Sequence, residues 1–280
     1  MSAFLEEMAA GSRARVRTAL KCRSLAGLES AARLTPAPPP LRLAASGFDL
    51  IAELKLRSPA AGELRPAGED VAARVSAYAR AGVAAVSVLT EPDRFDGSLE
   101  HLTTAVQVLT PAGVPAMRKD FLVDPYQVFE ARAAGAGGVL VILRMLPRED
   151  TRALLDCARA LGLFVLLEAF DARDITLMHE LVEAHRGASP LLAGVNCRDL
   201  ATLEVVPARL LELAPLLPAS VPRVAESGVT TAADVRAVAA AGYSLALVGS
   251  ALMRGDDPAG LAAALLRAGR AACTAHQPQA

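Results

Sequence analysis

Eight short apolar runs recur between residues 48 and 250, most of them followed by a segment of helical periodicity. The runs are FDLIAELK (48–55), AAVSVLT (84–90), VPAMRKD (114–120), GVLVILRM (138–145), LFVLLEA (163–169), LLAGVNC (191–197), VPRVAES (221–227) and SLALVGS (244–250). In the intervening segments, among them 70–82, 124–135, 148–162 and 231–242, apolar residues return every three or four positions. Each of those four segments ends in Gly, the residue expected just past a helix C-terminus. Near-continuous apolar strands alternating with helices specify a parallel sheet covered on both faces. Eight such units between residue 48 and the end of a 280-residue chain predict an α/β fold of the (β/α)8 TIM-barrel type. An open doubly wound sheet is the competitor. It fits less well, because no GxGxxG follows the first run and GAGGVL (135–140) has the wrong spacing.

Residues 1–46 precede the barrel and are expected to pack on it, with residues 47–280 forming the catalytic domain. Phe4, Leu5 and Met8 give the first twenty residues the pattern of an amphipathic helix. Residues 22–46 are Ala- and Pro-rich, with PAPPP at 36–40, and read as an extended linker lying over the surface. The N-terminus lacks the basic start and apolar core of a signal peptide, and no apolar run is long enough to span a bilayer. A net charge of -1 without a basic tract excludes nucleic acid as the expected partner. Cys22, Cys157, Cys197 and Cys273 have neither metal-ligand spacing nor the density of a disulfide scaffold. His101, His179, His185 and His276 form no HExxH or HxH pattern, so no metal site is expected. The reading is cytoplasmic, as a monomer or weak homodimer.

Charge falls in unexpected places on the strands. In the first run Glu53 and Lys55 sit two apart among Ile51, Ala52 and Leu54, so they point to the same face. Lys119 closes the third run, Glu168 the fifth, Asn196 and Arg198 the sixth, and Glu226 the seventh. Active sites of such barrels lie at the C-terminal strand ends. Any one of these groups could be an ordinary ion pair or a residue emerging into solvent. A whole ring of Lys and Glu is hard to explain that way, since unpaired charge is prohibitive to desolvate. The ring predicts compensating pairs tuned for acid–base work.

The last two runs end in AESGV (225–229) and VGSAL (248–252), neighbours in a closed barrel. Phosphate sites of such barrels follow strands seven and eight, where backbone N–H groups and a short helix N-terminus face the anion. Ser227, Gly228, Gly249 and Ser250 are therefore the candidate phosphate ligands, and the substrate is expected to be a phosphorylated small molecule.

IAELKLRSP, LTEPDRFDGSLEHL, MRKDFLVDPYQVFEARAAGA, LLEAF, GVNCRDL, VAESGV and LVGSALM resemble, in order and spacing, the indole-3-glycerol phosphate synthases. The resemblance runs from about residue 48 to 253, RKDF followed by DPYQ being its most specific part, and the N-terminal helix is similar to the family's extra helix. It implies decarboxylating ring closure of 1-(o-carboxyphenylamino)-1-deoxyribulose 5-phosphate to indole-3-glycerol phosphate in tryptophan biosynthesis, without metal or organic cofactor. By the same resemblance Lys119 is the general acid on the substrate carbonyl and Glu168 handles the proton steps of dehydration. Lys55, Glu53 and Asn196 complete the catalytic network. Ser58, Phe95, Phe121, Arg198, Glu226 and Leu247 line the aryl and ribulosyl parts of the site. Ser227, Gly228, Gly249 and Ser250 hold the phosphate.

The chemistry calls for these residue types in its own right. An aryl carbon attacking a ketone builds negative charge on oxygen, which a positioned ammonium protonates or stabilises. Water loss from the carbinol needs a further donor, and carbon dioxide loss restores the aromatic ring without an electron sink. The sequence departs from the family's usual pattern at Ala169 and Phe170 after Glu168, at Cys197 after Asn196, and at Ala60 and Ala61 after Pro59. A paralogue acting on a substituted anthranilate derivative and a non-catalytic phosphate-binding barrel remain open. Phosphoribosylanthranilate isomerase, a related barrel, is expected to use a Cys/Asp pair, and the first run has no Cys.

Overall fold

The computed structural model describes residues 2–44, 47–64, 70–187 and 190–274; His276 lies outside them. Each of the eight runs contributes one strand: β1 (Asp49–Leu54), β2 (Ala85–Leu89), β3 (Ala116–Lys119), β4 (Gly138–Ile142), β5 (Phe164–Ala169), β6 (Leu191–Asn196), β7 (Arg223–Glu226) and β8 (Leu245–Val248). They pair in parallel in chain order and close on themselves, with Asp49 to Ala52 of β1 in register with Leu245 to Val248 of β8. β1, β5 and β6 are buried along their whole length, as strands covered on both faces must be.

Helix boundaries follow local chemistry. Asp70, Ser98, Asp124, Asp171 and Thr231 accept hydrogen bonds from first-turn N–H groups that would otherwise lack partners. Gly162 and Gly242, with φ of 68° and 94°, take the left-handed conformation that stops two of the helices. Among the described residues no helix is long and apolar enough to cross a membrane.

The N-terminal region corrects one expectation. α1 (Ala3–Cys22) forms as the periodicity predicts, burying Leu5, Met8 and Ala9 in the main core. The stretch read as extended linker instead contains a second helix, α2 (Leu25–Leu34). Ser24 caps it by accepting from the Gly27 N–H, and Leu28 and Ala32, four apart, share its buried face. Leu28 packs in a small cluster with Val16 of α1 and Tyr126. Among the described residues of the stretch, the proline-rich run 36–44 lacks helix, because proline removes the needed N–H.

Candidate active site

A cavity of about 370 Å³ opens at the C-terminal ends of the strands, a volume suited to a small organic ligand. Glu53 and Lys55 line it together, as their spacing predicts, with Lys119, Glu168, Asn196, Arg198 and Glu226 around the same rim. One side of the cavity is apolar. Phe121 lies between Phe95, with ring centroids 6.0 Å apart, and Phe4 of α1, met edge-on at 5.9 Å. Leu247 lines the wall as well. Such a cluster offers both edge and face contacts to an aryl ring.

Lys119 Nζ stands 3.2 Å from Glu168 Oε2 and 3.7 Å from Glu226 Oε2, while Lys55 Nζ lies 2.5 Å from Glu53 Oε1. Glu53, Glu168 and Glu226 are each 2% exposed or less. Burial alone lowers the Lys119 pKa, but the carboxylates of Glu168, Glu226 and Glu53 outweigh it and the net shift is upward. Lys119 is therefore a firmly charged ammonium. Burial likewise raises Glu53, but Lys55 and Lys119 outweigh it and hold the carboxylate below its ordinary range. Glu226 is the exception: burial and then Glu168 hold its carboxyl well above that range, against the opposing pull of Lys119.

The loops after β7 and β8 also face the cavity, through Ser227, Gly228, Gly249 and Ser250. Ser227 and Gly228 both have positive φ, 66° and 72°; for the serine this strain is worth about 1–3 kcal/mol. Its hydroxyl donates to Asn196 Oδ1 at 2.9 Å, so its proton is already engaged. Gly249 has an ordinary φ of -120° and begins a short helix, Ser250–Arg254, without a side-chain cap. A Cβ at Gly249 would fall 2.2 Å from Glu53 Oε1, so this glycine also makes room for the Glu53 carboxylate.

Ser58 does not join the cavity wall. It lies in a small hairpin, Arg57–Ser58 with Gly62–Glu63, where its hydroxyl accepts from the Ala61 N–H. Ala60, Ala61, Ala169, Phe170 and Cys197 are also outside the wall. Strand alternation explains two of these: Glu168 and Asn196 point inward, so the next residues point away. Phe170 lies beneath the Arg144 guanidinium, 4.7 Å from its ring centroid. The departures thus leave the lining intact.

Several contributors escaped sequence reasoning. Arg15 of α1 reaches Asp120 at 2.8 Å and Glu91 at 3.4 Å, bridging the loops that carry Phe121 and Phe95. Ser12 accepts from Gln127 Nε2 at 2.8 Å, and Gln127 Oε1 in turn holds the Val123 N–H. Amphipathic periodicity marks α1 as packed, but it cannot say that Phe4 faces a cavity or that Arg15 braces two loops. Among the described residues no cluster of three or more His, Cys, Asp or Glu is placed to hold a metal ion.

A model of the indole-3-glycerol phosphate synthase family matches residues 5–265. The chain belongs to this family. It is 43% identical over 223 residues to the indole-3-glycerol phosphate synthase of Kineococcus radiotolerans, covering 80% of this chain and 77% of that protein. Against the indole-3-glycerol phosphate synthase of a Parafrankia species, identity is 41% over 267 residues, covering 95% of this chain and 96% of the other. Among solved structures, 3-hexulose-6-phosphate synthase from Salmonella typhimurium aligns with a TM-score of 0.59 at 18% identity, over 79% of this chain and 98% of that one, a likeness of fold alone. The family match takes in nearly all of α1 as well as the barrel; Phe4, the α1 residue of the cavity wall, lies one position before it.

Proposed function

We infer that this chain is an indole-3-glycerol phosphate synthase in which Lys119 drives ring closure and Glu168 manages the later protons. The observation that carries the reading is the Lys119 ammonium, held between Glu168 and Glu226 beside a wall of phenylalanines. The enzyme converts 1-(o-carboxyphenylamino)-1-deoxyribulose 5-phosphate to indole-3-glycerol phosphate, carbon dioxide and water. The aryl ring packs against Phe95 and Phe121, which brings its carboxyl-bearing carbon to the ketone. Lys119 protonates the oxygen as the carbon–carbon bond forms, a group aimed at charge that exists only in the transition state. Carbon dioxide then leaves and aromaticity returns. Glu168 serves the dehydration, while Glu53, Lys55 and Asn196 keep the acidic and basic groups in register.

Because the departures from the family pattern lie outside the cavity wall, the ordinary substrate is favoured over a substituted one. We propose action in the cytoplasm as a monomer or weak homodimer, with no nucleic-acid or membrane partner and no cofactor. The test is turnover: incubation with this substrate alone yields indole-3-glycerol phosphate, and no product from any anthranilate-derived substrate would defeat the reading.

The phosphate of the substrate is assigned to the N–H groups of Ser227, Gly228, Gly249 and Ser250 and the hydroxyl of Ser250, the Ser227 hydroxyl being held by Asn196. Crystals grown in sulfate or phosphate are expected to hold an anion there. Loops splayed apart, or plugged by side chains, would remove the assignment.

A further inference from the structure

Both carboxyl oxygens of Glu226 are buried and have no hydrogen-bond partner among the described residues. A buried carboxylate normally collects two or three donors, and leaving one without them is costly. The cation within reach, Lys119, is closer to Glu168, at 3.2 Å against 3.7 Å. Glu168 also faces Glu226, but a carboxylate is only an acceptor, so the two can bond only through a shared proton. The other charged or titratable neighbours supply no donor. Glu53 is committed to Lys55. Cys197 keeps its thiol proton, burial pushing its pKa up to about 11, but no hydrogen bond from it reaches Glu226, and the Tyr243 hydroxyl, whose pKa burial also raises, donates to Leu210 instead. The arrangement is built in: a Cβ at Gly194 of β6 would fall 2.3 Å from Glu226 Oε1, so the missing side chain there is the space the carboxyl occupies.

We propose that Glu226 stands in the substrate-free enzyme as a carboxylic acid whose proton is shared with Glu168, so that the pair, and not Glu168 alone, supplies the acid for dehydration. Burial followed by the Glu168 charge favours the protonated form of Glu226, in the same sense as the geometry. The charge count agrees. With Glu226 neutral, Lys55, Lys119 and Arg198 balance Glu53, Asp120 and Glu168 in the cavity wall, whereas an ionised Glu226 would leave the wall net negative toward a substrate carrying a phosphate and a carboxylate.

The proton has a use in the inferred reaction, on which this part of the proposal rests. The carbinol C–O bond breaks with its electron pair, and the pair's proton joins the departing hydroxide to make water. The proton lost from the adjacent ring carbon, as the pyrrole double bond forms, returns to the pair. One proton leaves and one comes back.

The experiment needs no substrate, so its outcome is separate from whether the chain turns that substrate over. The apoprotein is labelled with carbon-13 at the glutamate carboxyls and titrated by NMR. One glutamate carboxyl is expected to keep the protonated shift at neutral pH in the wild type, and to be missing from Glu226→Gln. Stability gives a second readout. The folded state keeps a proton that the unfolded chain releases above the ordinary glutamate value of 4.5. The wild-type folding constant therefore falls, by up to about tenfold per pH unit, from there through the folded-state pKa of Glu226. Glu226→Gln has no such proton, so its advantage over wild type should grow with pH. All glutamates ionised at neutral pH, a stability difference independent of pH, or a protonated signal lost only in Glu168→Gln would each overturn the proposal.

Discussion

Lys119→Ala should reduce turnover by about a hundredfold or more, the usual consequence of removing a donor aimed at developing oxyanion charge. Lys119 is a tightly held ammonium, yet an alkoxide is a far stronger base than its amine, so the proton moves downhill once the new bond begins to form. The ground-state ketone gains little from the same contact. The loss should therefore appear mainly in kcat. Removing one member of a buried ion pair costs about 3–5 kcal/mol where the remaining charge is fully buried. Here the lysine side chain is 15% exposed and the stranded carboxyls can take up protons, so the lower end applies. Circular dichroism should report an intact barrel. Turnover close to wild type would move the acid role to Lys55, the next ammonium along the rim.

Glu168→Gln should lower kcat by about a hundredfold to ten-thousandfold, the range typical of a lost acid–base group. The amide keeps the shape and removes the exchangeable proton, so the substrate still binds and KM should change little. The block falls after decarboxylation. Carbon dioxide should appear ahead of indole in a single turnover, because the carbinol waits for its acid. Carbon dioxide and indole appearing together at the wild-type rate would place the dehydration chemistry elsewhere.

The sequence disclosed the barrel because the strands are apolar and regularly spaced, and because Lys and Glu gather toward their C-terminal ends. Glu53 with Lys55, and Lys119 with Glu168, were legible as a ring for the same reason: no cheaper explanation covers so many charges at equivalent positions. α2 was hidden by the prolines beyond it, whose composition dominated the reading of a segment capped by Ser24 and packed through Leu28. Gly194 and Gly249 were opaque for a different reason. Their importance lies in the space left for carboxyls arriving from other strands, Glu226 and Glu53, and no local pattern encodes such a meeting. Ser58 is the converse case, a motif residue whose hydroxyl the hairpin uses for its own turn.

The stability of the site should depend on pH in two opposed ways. Glu53, held below its ordinary value of 4.5, contributes stability that is present above that pH and disappears as pH falls through its lower folded value. Glu226, held above the same value, weakens the fold as pH rises. The two carboxyls share one cavity and pull in opposite directions because only Glu53 has a lysine to itself.

The chain contains no Trp, and its Tyr residues, Tyr78, Tyr126 and Tyr243, emit little when excitation is set at the red edge of indole absorption. Product can therefore be followed almost free of protein background. Mixing the enzyme with 1-(o-carboxyphenylamino)-1-deoxyribulose 5-phosphate should give rising indole emission, with one carbon dioxide released per indole formed, since ring closure without decarboxylation leaves a non-aromatic adduct. An indole signal that appears only with a ring-substituted analogue would contradict the assigned substrate. Silence with every anthranilate-derived substrate would contradict the synthase itself.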